Sequence, residues 1–179
     1  MLKITVPAME YYDEVSNEFI LFKEQSLQLE HSLVSISKWE AKWHKPFLDG
    51  KDKTLEEVID YVRCMTITQN VDADVYTRLT ENNLKDINEY IENPMTATTF
   101  SDTNQTPNRE IITSEIIYYW MVAFNIPFEC QKWHINRLLT LVKVCNIKNS
   151  PPKKMGRNEI LQRNRALNEA RKKNLKTKG

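Results

Sequence analysis

SEIIYYWMVAFNIPFECQKWHINRLLTLVKVCNI, residues 114–147, is the densest apolar stretch of the chain, and its reading decides the fold. Ile117, Trp120, Met121 and Phe124 recur at i, i+3, i+4 and i+7, the spacing of one helix face, with Ser114 placed as an N-cap. Ile116, Tyr118, Tyr119 and Val122 make the other faces apolar too, which predicts a helix buried nearly all round. Asn125 and Pro127 end it, since proline cannot continue a helix but suits the first turn of the next. A second helix, over about 127–146, is two-sided. Ile135, Leu138, Leu139, Val142 and Cys145 form its apolar stripe, and Lys132, Asn136, Thr140 and Lys143 project opposite. The pair describes a core with a lid and says little about chemistry.

Working outward, Leu2, Ile4 and Val6 alternate with polar residues as in a half-buried strand that ends at Pro7. EYYDEV (10–15) and EFILF (18–22) flank Ser16-Asn17 and predict a hairpin, and Leu27 and Leu29 alternate again before the apolar run Leu33–Ile36. Ser37-Lys38-Trp39-Glu40 has the spacing of a capping box and predicts a short helix carrying Trp39 and Trp43, stopped before Pro46. Asp49-Gly50 marks a turn. Thr54–Glu57 is a second box, opening a helix with Leu55, Val58, Ile59, Val62 and Met65 on one face. Short helices follow after Asp72 and after Thr80. Met95–Phe100 and Glu110–Thr113 favour strands through their branched side chains, with Ser101–Asn108 as an exposed loop between them. Asn149-Ser150-Pro151-Pro152 then breaks the chain, and a thinly apolar helix over about 159–174, capped by Asn158, ends it.

At 179 residues and 41% hydrophobic content, the chain can build one domain with a proper core. No run approaches the 18 or so apolar residues of a membrane span, and Met1–Val6 lacks the plan of a secretory signal, so a cytosolic protein is expected. With only Gly50, Gly156 and Gly179, no glycine-rich phosphate cradle can form, which removes P-loop and dinucleotide chemistry. Cys64, Cys130 and Cys145 are odd in number, lie in apolar helical patterns and read as reduced, buried thiols. Lys153 to Gly179 holds ten Lys/Arg against Glu159 and Glu169, a net +8, which leaves −7 for the first 152 residues of a chain totalling +1. An acidic body with a basic tail is a statement about partners.

Cys130 and His134 stand at i, i+4 and could ligate a metal, but no second ligand pair accompanies them, and packing beside the apolar stripe is the stronger reading. His31 and His44 have no serine or cysteine nucleophile in a recognisable turn, and Glu56, Glu57 and Asp60 fall where helix starts favour negative charge. Trp39 and Trp43, four apart, either pack on the core through at least one ring or form an aromatic contact surface. The basic tail can solubilise, dock on an acidic protein or bind phosphates, the last weakened by its lack of interleaved aromatics.

LQLEHSLVSISKWEAKWHKPFL (27–48), YIENPMTATTF (90–100) and ITSEIIYYWMVAFNIPFECQKWHINRLLTLVKVCNIKNSPPKKM (112–155) resemble a group of small proteins of tailed bacteriophages described as tail assembly chaperones, over nearly the whole chain. The resemblance implies a non-enzymatic protein, without cofactor or metal, that holds the long helical tape measure protein during tail tube assembly and leaves before the virion is finished. It would act in the host cytoplasm, with the tail tube protein and further copies of itself as additional partners.

The expectation is therefore an α+β protein, β-rich before residue 36 and bundle-like and helical after it with one small hairpin. Residues 1–150 form a single domain and 151–179 a basic, flexible tail. Candidate partner-binding residues are Trp39 and Trp43 with Lys153, Lys154, Arg157, Arg163, Arg165, Arg171, Lys172 and Lys173. The alternatives are a phage nucleic-acid-binding regulator acting through the tail and a structural tail or neck component of the virion.

Overall fold

The computed structural model describes residues 1–13, 17–100, 111–150 and 156–175, and the fold is α+β. The chain divides into two compact units, Met1–Asn146 and Ile147–Gly179. Strands β1 (Leu2–Val6) and β4 (Gln25–Leu29) pair antiparallel, as do β2 (Met9–Asp13) and β3 (Glu18–Phe22). The registers are concentric: Val6 faces Gln25, and Met9 faces Phe22, so the two pairs are successive stretches of one long hairpin interrupted at Pro7-Ala8 and Lys23-Glu24. Its base is core. Ile4, Val6, Leu27 and Leu29 alternate inward and are buried, each such side chain contributing about 1.5–3 kcal/mol. Beside β4, Ile67 donates to the Gln28 carbonyl and Glu30 to that of Met65, extending the pairing by one short bridge.

Helix α1 (Leu33–Trp43) begins five residues earlier than Ser37 as N-cap predicts, and the run Leu33–Ile36 is its first turn rather than an extension of the β-rich part. Ser32 is the N-cap, in a box with Ser35 whose amide–hydroxyl bonds measure 2.9 and 3.3 Å. Glu40, expected in the Ser37 box, is buried, and its carboxylate accepts from the Phe47 and Ser114 amides at 2.8 Å each. It thus closes the loop after α1 and supplies negative charge at the start of α5 (Ser114–Ala123). Helix α2 (Leu55–Met65) starts from the Thr54–Glu57 box as expected, with reciprocal bonds of 2.8 and 3.3 Å. Short α3 (Asp74–Thr77) forms as expected but without the Asp72 cap, since its N-cap is Ala73 and no side chain caps it, whereas α4 (Glu81–Glu92) starts from Thr80 and Asn83 where the sequence places it.

The central stretch behaves differently from its reading. The N-cap of α5 is Thr113, and Ser114 is the first helical residue. Ile117 and Met121 are fully buried, but Tyr119 and Val122 remain 69% and 59% exposed, so the helix is not buried all round. It packs on α1 with one face, and nothing among the described residues covers the opposite one. Asn125, at φ 52°, stops it: the Asn125 and Ile126 amides return to the Val122 and Met121 carbonyls at 3.1 and 2.8 Å, a Schellman closure. The single helix expected over about 127–146 is instead a 3-10 turn, Phe128–Lys132, an extended step, and α6 (Ile135–Asn149). The cause is tertiary: residues 32 and 134 form a bridge, and the Ile135 amide donates to the His31 carbonyl at 2.7 Å. Its predicted stripe does face inward, with Ile135, Leu138 and Val142 buried.

Met95–Phe100 and 111–113 are irregular rather than strands, so no small hairpin forms there among the described residues, and Met95 adopts φ 50°. The loop expected over Ser101–Asn108 lies outside the described residues. In the second unit, α7 (Arg157–Leu175) starts two residues before the predicted start, with Asn158 inside it rather than capping it. No helix among the described residues is long and apolar enough to cross a membrane.

Candidate interaction surface

The interior polar groups serve the fold. His31 Nδ1 and the Tyr61 hydroxyl lie 2.5 Å apart, the hydroxyl also 3.3 Å from Ser35 Oγ. The His31 ring stands edge-on to His134 at a centroid distance of 5.0 Å. His134 Nε2 donates to the Tyr90 carbonyl at 2.9 Å, while its Nδ1 accepts from the Asn136 amide at 3.3 Å. Both ring nitrogens are therefore held by backbone. The metal pairing weighed for Cys130 and His134 gains no third partner, since no three His, Cys, Asp or Glu side chains among the described residues converge as a ligand set. Burial, with His134 as a like charge, lowers the His31 pKa to about 3, and burial lowers that of His134 against the pull of its carbonyl bond. The Tyr90 hydroxyl donates to Glu30 at 2.6 Å, and the Glu30 carboxylate pairs with the terminal ammonium at 3.0 Å. Cys64, Cys130 and Cys145 are free thiols, the second buried and the others half-buried.

Of the tryptophans, Trp39 is 1% exposed and donates to the Glu57 carbonyl at 3.0 Å, so it offers no contact surface. Trp43 stacks on it at 6.2 Å and donates to Asp60 at 3.0 Å, leaving part of one ring outside under Lys42 and Lys45. These lysines pair with Asp60 and Glu57. Burial pushes the Asp60 carboxyl up, but the bonds from Lys42 and Trp43 outweigh it and hold the pKa low; at Glu57, the Lys45 bond and the Thr54 amide do the same.

Lys153 and Lys154 lie outside the described residues. Arg157, Arg163, Arg165, Arg171, Lys172 and Lys173 are all exposed on α7. At about 100° per residue they fall on every side of the helix, whereas Ile160, Leu161, Leu167 and Leu175 share roughly a third of its circumference. Helix α7 carries cations all round it and a narrow apolar seam.

The surface that sequence reasoning missed is the tip of the long hairpin. Phe19 and Leu21 are each 68% exposed, and Met9, Tyr11, Tyr12 and Ile20 lie between 40% and 52%. A signal was present: EFILF is apolar at four successive positions, so both faces of any strand made from it are apolar. The outward side of α5, with Tyr119 and Val122, and Phe128 beyond it are further exposed apolar groups. Comparison of the chain with protein-family models, with characterised proteins and with solved structures gives no match.

Proposed function

We propose that this protein is a non-catalytic polypeptide binder, a tail assembly chaperone that holds the tape measure protein of a tailed bacteriophage in the host cytoplasm. One observation carries the reading. On a well-packed body, in which the buried His31, Tyr61 and His134 are held by one another and by backbone, large apolar side chains stand out on the β2–β3 tip and on α5. Contiguous exposed apolar surface beyond a few hundred Å² marks an interaction site rather than ordinary surface. A client with apolar helical stripes, unprotected until tube protein surrounds it, is the chemistry such a surface fits. The sequence resemblance supplies the identity of that client.

Co-expression with the tape measure protein encoded in the same genome tests this. The expected result is a rise in soluble tape measure protein and a complex that co-purifies; two proteins that never associate refute it. The chaperone is also expected to be missing from purified virions, and its presence there by mass spectrometry favours the structural-component reading. A nucleic-acid role rests on the exposed cations of α7. It requires binding to DNA or RNA that weakens steeply with salt and is lost on deleting 153–179.

A further inference from the structure

The geometry points to the β2–β3 tip as a docking element for a polypeptide segment that carries an apolar stripe flanked by lysines or arginines. The assignment rests on the polypeptide-binding reading above and names the contacting element and the chemistry of what it contacts. Cross-strand register puts Met9 with Phe22 and Tyr11 with Ile20 on one face of the ribbon, and Leu21 with Glu10 and Phe19 with Tyr12 on the other. The first face, with Asp74 and Arg78, lines a groove of about 520 Å³. Arg78 anchors the tip: its guanidinium lies over the Phe22 ring at 4.7 Å and donates to the Pro7 carbonyl at 3.1 Å. The second face is open, and Phe19 and Leu21 lead it.

Size and charge narrow the occupant. Three large side chains on each face, each about half exposed, leave on the order of 300 Å² of apolar surface per face, taking about 200 Å² for each large side chain. That lies within the range of the largest apolar patch on a typical monomer, which is often functional. A two-stranded ribbon of this kind is marginal in water unless something packs on it. Residues 9–24 carry Glu10, Asp13, Glu14, Glu18 and Glu24 against Lys23, a net −4. Two such tips repel each other, so tip-to-tip pairing of two copies is disfavoured, while a cationic amphipathic segment gains from both the apolar and the acidic parts.

The test uses the full chain and a synthetic helical peptide of leucine and lysine at amphipathic spacing, alongside the same peptide with glutamate for lysine. Fluorescence anisotropy of labelled peptide is expected to show binding of the leucine–lysine peptide, weakened about tenfold or more by Phe19→Ser with Leu21→Ser. Glu10→Lys with Glu18→Lys keeps the apolar groups and is expected to reverse the preference between the two peptides. All four positions lie on the exposed tip, so unfolding midpoints of both variants should match the parent. Equal binding by parent and variants overturns the assignment, as does equal binding of the two peptides or no binding at all. A hairpin-dependent change in oligomeric state by sedimentation also overturns it, in favour of a second copy. Tape measure protein that still co-purifies with both variants sinks the tip assignment alone; failure to co-purify with the parent sinks the chaperone reading and leaves the peptide result standing.

Discussion

Moving from pH 7 to pH 5 is expected to cost the body about 2 kcal/mol of stability through His31 alone. His31 is 2% exposed, wedged among Tyr61, Phe47 and His134, with its pKa lowered from the ordinary 6.5 to about 3. In the folded chain it stays neutral between those values, while the unfolded chain takes up a proton as soon as pH falls below 6.5. Stability is therefore whole above that pH and falls by about 1.4 kcal/mol for each unit descended inside the window. His134, also lowered, adds to the slope. The lowered carboxylates Glu57, Asp60 and Glu115 act in a separate window, since their contribution is lost only as pH falls below the ordinary carboxylate range. Urea unfolding at pH 7 and pH 5, on the parent and on His31→Gln, isolates the effect as a difference of differences. The variant should lose most of the pH dependence whatever its absolute stability. A variant with the parent's full slope between pH 7 and 5 would refute the placement of His31.

Four further substitutions probe the packing. Trp39→Ala should cost about 3–5 kcal/mol, as for a fully buried large side chain, and Trp43→Ala about 1–2 kcal/mol, measured by chemical denaturation; equal costs would contradict the inward placing of Trp39. Thr54→Ala should remove about 1 kcal/mol from α2 through its lost cap, and no change in midpoint would count against the box. Glu40→Gln should cost about 1–3 kcal/mol, because one charged group satisfies two amides, at Phe47 and Ser114. Amide exchange near the start of α5 should quicken in that variant, and an unaffected α5 would show that the link is not made.

What could be seen in the sequence was local. The Thr54–Glu57 box lies within four residues of chain, and so does the cap of α4; both form as written. Ser37–Glu40 has the same spacing and fails, because Glu40 is drawn to amides that include one 74 positions away. Nothing in the spacing weighs Ser32–Ser35 against it. The break before α6 is equally non-local, since it depends on residue 134 meeting residue 32. The helix from Ser114 was misjudged because apolar composition on every face says that a helix wants cover, while the fold decides how much cover it receives. The exposure of the hairpin tip was out of reach for the same reason: EFILF predicts a strand that is apolar on both faces, yet no layer lies over Phe19 and Leu21 among the described residues. The basic tail was legible as charge, and its arrangement round the whole of α7 needed only the helix to be formed.

Amide hydrogen exchange on the chain, alone and in complex with the tape measure protein, tests the central claim most directly. The account predicts slowed exchange over Met9–Phe22, with the already protected amides of β1, β4 and α2 unchanged. A complex in which Met9–Phe22 exchanges as fast as in the free chain, or the absence of any complex, would contradict it.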